Sequence, residues 1–308
     1  MTRSHDREPD AWILSRSRRL HSTRRLCEAA DALGLALRVV DPTRVVPGWD
    51  ASGPFLADGR GRLHPPAVVL PRLGARSGRT STAVVEQLEA MGVTTLNPAA
   101  ALWVARDKLW CAQRLVAAGL PVPAAAVVRP GMPLGVAVEA AGGFPVVVKP
   151  VRGSHGVGVM LAADAAQLQA QVGALAEAGE DVLVQRFIAE GAGVDTRVLV
   201  VGGRAVAAME RRARRGDFRA NVHQGARTCG VPLTAALRAM AERTARAVGL
   251  GVAGVDLMHG ADGPVVLEVN ASPGLRGIES ATGVDVAGAI IRLVARHCAA
   301  RGVRRSAA

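Results

Sequence analysis

The stretch Val252-Ala253-Gly254-Val255-Asp256-Leu257-Met258-His259 and, past the turn residues Ala261-Asp262-Gly263, the stretch Pro264-Val265-Val266-Leu267-Glu268-Val269-Asn270 read as a β-hairpin. Glu268 and Asn270 are two apart on one strand and so share a face. A three-residue loop, with Gly260 opposite Pro264, sets Asp256 directly across from Glu268. Two carboxylates and an amide oxygen then converge among Val255, Leu257, Val266, Leu267 and Val269. Unpaired buried carboxylates are costly, which points to hard cations held jointly with substrate phosphates. The alternative is a solvated hairpin face, and the apolar neighbours speak against it.

Upstream, Thr196 to Val201 and Ala205 to Met209 are extended runs joined by Gly202 and Gly203, a second hairpin. Helices are expected over Thr234 to Val248 and from about Asp285 to Ala300, ahead of a basic tail, 301–308. After the second hairpin comes Glu210-Arg211-Arg212-Ala213-Arg214-Arg215-Gly216-Asp217-Phe218-Arg219-Ala220-Asn221-Val222-His223. These guanidinium groups suit bidentate clamping of phosphates or carboxylates, although a basic surface loop has the same composition.

In Lys149-Pro150-Val151-Arg152-Gly153-Ser154-His155-Gly156-Val157-Gly158 a lysine ends the strand Pro145 to Lys149 and three glycines follow. Such a turn lets backbone N–H groups approach phosphate oxygens while the lysine supplies a point charge; a plain tight turn is the alternative. It is not a Walker loop, because the lysine precedes the glycines. The positive charge of the chain is almost all arginine: lysine occurs only at Lys108 and Lys149. A compact ammonium kept at two places suits a phosphate that a planar guanidinium cannot serve in the same way.

A helix from Arg106 to Ala118 ends at Gly119, and Pro121 and Pro123 force an extended segment into Ala124 to Val128. A helix from Asp164 to Ala178 and a short buried strand, Val182 to Gln185, complete the middle of the chain. Nearer the start, Ala11 to Ser15, Ala36 to Val40 and Ala67 to Pro71 read as strands, with helices over Leu20 to Leu33 and Thr80 to Met91. Asp41 to Pro66, rich in Gly, Pro and Asp, reads as an excursion within that α/β unit.

The chain has 308 residues, 49% hydrophobic and 21% charged, enough for a buried core in two or three units. No apolar run spans a membrane and no signal peptide opens the chain, so a cytoplasmic location without membrane contact is expected. Cys27, Cys111, Cys229 and Cys298 lie far apart, as reduced, buried thiols do. A net charge of +12 suits a nucleic-acid binder or an enzyme of polyanions, but 3% aromatic residues and no Tyr speak against RNA or DNA as the main ligand.

Taken together, these segments resemble the ATP-grasp ligases, most closely the RimK type that adds glutamates to the C terminus of a small-subunit ribosomal protein. The most specific pieces are Val206 to Ala213, Gly216-Asp217-Phe218-Arg219, Val252 to Asp256 and Leu267-Glu268-Val269-Asn270-Ala271-Ser272-Pro273-Gly274-Leu275; Arg106-Asp107-Lys108 and Ile278-Glu279 to Ala287-Gly288 add to them. The resemblance implies an α/β (α+β) ATP-grasp fold: a polar tail (1–10), a pre-ATP-grasp α/β domain (11–98), a small domain (99–185), a large domain with the metal site (186–300) and the basic tail.

By resemblance, Lys108 and Lys149 meet the nucleotide phosphates, under a turn containing Gly153, Ser154 and Gly156. Gln185, Arg186, Phe187 and Ile188 match the hinge that holds adenine by backbone bonds, and Asp195 the acid at the ribose. Arg219, Ala220 and Asn221 match positions near the phosphates, Arg219 and Asn221 in catalytic roles. Asp256, Glu268 and Asn270 match the ligands of two magnesium or manganese ions. The implied reaction joins L-glutamate to a carboxylate through an acylphosphate, with release of ADP and phosphate. The implied acceptor is an acidic C-terminal tail of a ribosomal protein or another carboxylate. A small-molecule or carrier-protein acceptor, a non-catalytic ribosome- or RNA-binding role and a homo-oligomer stay open. The chain departs from the family at Arg186, where Glu is usual, at His223-Gln224-Gly225-Ala226 and at Gly274-Leu275-Arg276-Gly277.

Overall fold

The computed structural model describes residues 9–74, 77–129, 131–153, 156–214, 216–220 and 225–302. β1 (Ala11–Leu14) leads through α1 (His21–Ala32) to β2 (Leu37–Val40), paired with it in parallel. The excursion expected at Asp41 to Pro66 is a 3₁₀ turn followed by an antiparallel meander of β3 (Val46–Asp50), β4 (Gly53–Asp58) and β5 (Gly61–Leu63). β6 (Val68–Pro71), α2 (Arg79–Ala90) and β7 (Thr94–Thr95) complete a parallel sheet of order β2-β1-β6-β7. Trp12 and Leu14 point to one face of β1 and Ala11 and Ile13 to the other; both faces are buried, as a parallel sheet requires.

A helix that was not anticipated, α3 (Ala99–Arg106), precedes α4 (Lys108–Ala117), which is the helix expected from Arg106 to Ala118. Asp107 separates the two: extended itself, it accepts from Leu109 N and Trp110 N (3.1 Å each) and so caps α4. β8 (Ala125–Val128), α5 (Gly135–Ala141), β9 (Val146–Pro150), β10 (Met160–Ala162), α6 (Ala165–Glu177) and β11 (Val182–Arg186) make an antiparallel sheet of order β10-β9-β11-β8. α5 and α6 cover one face of it around Val146, Val148, Val182 and Val184.

β12 (Val194–Val201), β13 (Arg204–Arg212), β14 (Arg227–Gly230), α7 (Ala235–Val248), β15 (Val252–Gly260) and β16 (Gly263–Asn270) follow, with strand order β14-β13-β12-β15-β16. α8 (Arg276–Thr282) and α9 (Val286–Ala300) end the described chain. α9 carries Ile290, Ile291 and Val294 into a core shared with β1, β6 and β13, tying the first and last sheets together. Among the described residues no helix is long and apolar enough to cross a membrane. Cys27, Cys111 and Cys298 are buried thiols, but Cys229, on β14 at the sheet margin, is exposed, contrary to the expectation for all four.

Candidate active site

The two lysines come together through local capping. Lys108 opens α4, directly after the Asp107 cap, and its N–H donates to Val151 O at 3.1 Å. Asp107 also receives Arg152 Nε at 3.3 Å, so the start of α4 is fastened to the chain leaving β9. Lys108 Nζ then donates to Gly153 O at 3.2 Å. Lys149, near the end of β9, has no hydrogen bond or ion pair among the described residues. Burial and the neighbouring Lys108 charge push its pKa down to about 8, with Glu268 pulling the other way. Burial likewise lowers Lys108, opposed by Glu268, Asp107 and Glu180. Two adjacent, partly desolvated ammonium groups favour an anion between them.

Asp256 does face Glu268, by a different route from the one expected. The loop has two residues, since Gly260 pairs with Gly263, and that register alone would set Asp256 against Leu267. A β-bulge between Leu257 and Asp256 makes Leu267 the extra residue and restores the Asp256–Glu268 pair. A second bulge, between Leu199 and Val200, sets Asp195 opposite Arg211.

Asp256 is 3% exposed, and its charge is met by arginine. Arg197 grips both oxygens (Nε–Oδ1 and Nη2–Oδ2, 2.6 Å each), Arg211 Nη2 donates to Oδ2 at 2.8 Å, and Asn270 Nδ2 lies 3.4 Å from the same oxygen. Burial would raise the Asp256 pKa, but the two arginines outweigh it and hold it low. Arg211 also grips Asp195 through Nε–Oδ1 (2.5 Å) and Nη2–Oδ2 (2.6 Å). Arg211 is itself 3% exposed, so this member of the arginine stretch clamps protein carboxylates. Arg197, absent from the expected set, was hidden because its partner is 59 residues away on another strand.

Lys108, Lys149, Gly153, Gly156, Gln185, Arg186, Phe187, Asp195, Arg219, Ala220, Asp256 and Glu268 all line one cleft between the second and third sheets. It encloses about 940 Å³ of space, including its open mouth. Val147, Val159, Ile188, Phe218, Met258 and Leu267 add apolar walls. Asn270 lies outside this lining, beside Asp256. Ser154 and Asn221 fall outside the described residues, as do His155, Arg215, His223 and Gln224.

At the hinge, Arg186 N still bonds to Ala124 O (2.8 Å), whereas the Phe187 and Ile188 backbone has no backbone partner among the described residues. The Arg186 side chain is exposed, so replacing the usual Glu there leaves these backbone groups alone. Asp195 lines the cleft, but Arg211 already occupies both of its oxygens, which a ribose hydroxyl would have to share. Arg219 is steadied by Asp217 (Nε–Oδ1 3.0 Å, Nη2–Oδ2 3.1 Å) and leans on Val159 O at 3.4 Å.

The donor set fits a hard cation at one residue above all. Glu268 is half-buried and accepts no hydrogen bond among the described residues, while Asn270 uses only its amide nitrogen. Asp256 is already compensated, so Glu268 with the Asn270 oxygen carries the fit. No group of three or more His, Cys, Asp or Glu suited to a metal occurs among the described residues.

Residues 105–294 match the RimK-like ATP-grasp domain and residues 10–102 the RimK PreATP-grasp domain. A probable alpha-L-glutamate ligase of Halorhodospira halophila is 42% identical over 92% of this chain and 94% of its own length. One of Trichodesmium erythraeum is 40% identical over 92% and 95%. Among solved structures, a RimK domain ATP-grasp protein from Sphaerobacter thermophilus superposes with TM-score 0.68 and 26% identity, covering 92% of this chain and 99% of that one. The ATP-grasp ligase PsnB, complexed with a phosphomimetic variant of its minimal precursor, Mg and ADP, gives TM-score 0.71 at 21% identity, covering 94% and 99%; at that identity the likeness is one of fold. The chain belongs to the RimK family of ATP-grasp ligases.

Proposed function

We propose that the protein joins L-glutamate to a carboxylate at the expense of ATP, and that the acceptor is an acidic peptide tail such as the C terminus of a small-subunit ribosomal protein. The observation that carries this is the meeting of Lys108, Lys149 and the unpartnered Glu268 in one cleft, in a chain about 40% identical to probable alpha-L-glutamate ligases. The nucleotide would lie between segments 99–185 and 186–300. Its adenine would rest among Val147, Ile188, Phe218 and Met258 against the Phe187–Ile188 backbone, with its phosphates at the two lysines beside Gly153 and Gly156.

Glu268 and the Asn270 oxygen, with Asp256 beside them, would hold magnesium, which would neutralise phosphate charge when bound. Lys108 and Lys149 orient the phosphates, and Arg219, fixed by Asp217, faces the transferring group, with Asn221 assigned a role there by resemblance alone. The acceptor carboxylate oxygen attacks the γ-phosphorus and ADP leaves. The glutamate amine then attacks the acyl carbon, loses a proton, and expels phosphate to give the amide. No side chain is needed as a covalent nucleophile.

PsnB is described with precursor peptides, which favours a peptide acceptor other than a ribosomal protein as the second choice. Incubation of cell extract with the protein, ATP and labelled L-glutamate, followed by mass spectrometry, identifies the acceptor. A labelled acidic protein tail is expected, and a labelled neutral metabolite would overturn the proposal.

A further inference from the structure

Arg72 stands where the parallel sheet changes its winding direction. From β1 the chain passes to β2 on one side and later to β6 on the other, and ligands of open parallel sheets lodge at the carboxyl ends beside such a point. Arg72 follows β6 directly, and its N–H donates to Leu14 O, at the end of β1, at 2.9 Å. Its side chain crosses to the loop after Asn270, where Nη2 donates to Pro273 O at 2.6 Å.

Among the described residues, Nη1 of Arg72 is shut off from solvent without a hydrogen-bond partner, and so is Oγ of Ser272, the residue before Pro273. No carboxylate among the described residues pairs with Arg72, whereas the half-buried Arg197 and the buried Arg211 are each matched to carboxylates. Arg72 as a whole is half-buried, but a guanidinium keeps its charge, and a covered N–H of it without a counter-charge is costly unless a ligand supplies one. Burial lowers the Arg72 pKa to about 10, the mark of that missing partner. Pro273 packs on Gly254, the residue paired with Asn270: a Cβ on Gly254 would lie 2.9 Å from Pro273 Cβ. One short loop thus joins the Arg72 tip to the proposed metal ligands.

The geometry points to Arg72, with Ser272 as second donor, as the holder of a substrate carboxylate. This rests on the proposed ligase reaction, whose two joined substrates both carry carboxylates. A nucleotide phosphate does not fit the role, because the lysines address it in a cleft that Arg72 does not line. Reaching the covered Nη1 requires a neighbouring group to give way, and the bond from Nη2 to Pro273 O ties such a movement to the loop after Asn270. The carboxylate belongs to L-glutamate or to the terminal residue of the acceptor.

The test compares wild type with Arg72→Met, Arg72→Lys and Ser272→Ala, measuring Tm, ADP affinity and the KM for each substrate. Substrates are L-glutamate, its α-amide and γ-amide analogues, and acceptor peptides ending in Glu or Gln. Arg72→Met should raise the KM of one carboxylate substrate roughly 10- to 100-fold, the loss of a charge-assisted pair, with ADP affinity unchanged. It should also erase discrimination against the amide analogue of that substrate, which tells amino acid from acceptor. Arg72→Lys should restore part of the loss. Wild-type KM values in Arg72→Met would overturn the assignment, as would retained discrimination with Tm and ADP affinity falling together. Failure of the ligase proposal would show in the wild type itself, as no amide product.

Discussion

Asp256 lies opposite Glu268 because Leu267 is an extra residue in β16, and the two carboxylates then meet different fates. Both line the cleft, but Asp256 is held by Arg197 and Arg211, whereas Glu268 has no hydrogen bond among the described residues. The same carboxylate chemistry therefore serves structure at one position and leaves a free ligand at the other.

That difference separates two substitutions. Asp256→Ala leaves the half-buried Arg197 without a carboxylate among the described residues and the buried Arg211 with Asp195 alone, and should cost about 3–5 kcal/mol of stability. Glu268→Ala removes no bonded partner and should change stability by about 0.5 kcal/mol or less while abolishing ligation. Urea denaturation and turnover at saturating magnesium, measured on both, check this; near-normal turnover in Glu268→Ala would remove Glu268 from the reaction.

Lys149 gives the nucleotide site a pH dependence. Its pKa in the folded protein is about 8, below the ordinary lysine value, so the ammonium needed for phosphate is lost from the free protein as pH rises through 8. ADP affinity should fall over that range, and Lys149→Met should bind weakly and lack this step. The sign for folding is opposite: the unfolded chain holds the proton more tightly between pH 8 and the ordinary lysine value, so this group adds stability as pH rises there. Titration calorimetry at several pH values reads the first effect. Lys149→Arg keeps a charge but should still impair ATP use, because the planar fork does not replace the ammonium under the Gly153 turn.

Acceptor capture should weaken with salt, and through fewer arginines than the sequence offers. Arg211 is buried and Arg212 is neutralised by Glu210 (Nε–Oε1, 2.6 Å), leaving exposed Arg214 and Arg276 without acidic partners among the described residues. The kcat/KM for an acidic peptide should drop between roughly 50 and 300 mM salt, as exposed charges are screened beyond about 8 Å at physiological ionic strength. Arg214→Ala and Arg276→Ala should flatten that dependence, and Arg212→Ala should not.

Alternating strand patterns and helix signals made most elements legible, down to helices beginning at Asp164, Thr234 and Asp285, which in the structure cap α6, α7 and α9. The isolation of Lys108 and Lys149 in composition anticipated their meeting in the cleft. Two bulges were not legible. Counting back from the Gly202-Gly203 turn sets Asp195 against Glu210, and only the bulge near Val206 moves it to Arg211. The three-residue loop expected after Gly260 reached the correct Asp256 partner by compensating for an unseen bulge. A bulge is a tertiary compromise between register and twist with no required residue type, so local sequence carries little sign of it. The ion pairs of Arg197 and Arg211, and the isolation of Arg72, depend on strands brought together from far along the chain.

The most direct measurement follows the oxygen atoms. An acidic acceptor peptide, its carboxylates labelled with heavy oxygen, is incubated with the protein, magnesium, ATP and L-glutamate, and the nucleotide and phosphate products are analysed by mass spectrometry. Ligation through an acylphosphate predicts ADP and phosphate in equal amounts with amide, each phosphate carrying one oxygen from the acceptor. AMP and pyrophosphate as products, or phosphate without acceptor oxygen, would contradict it.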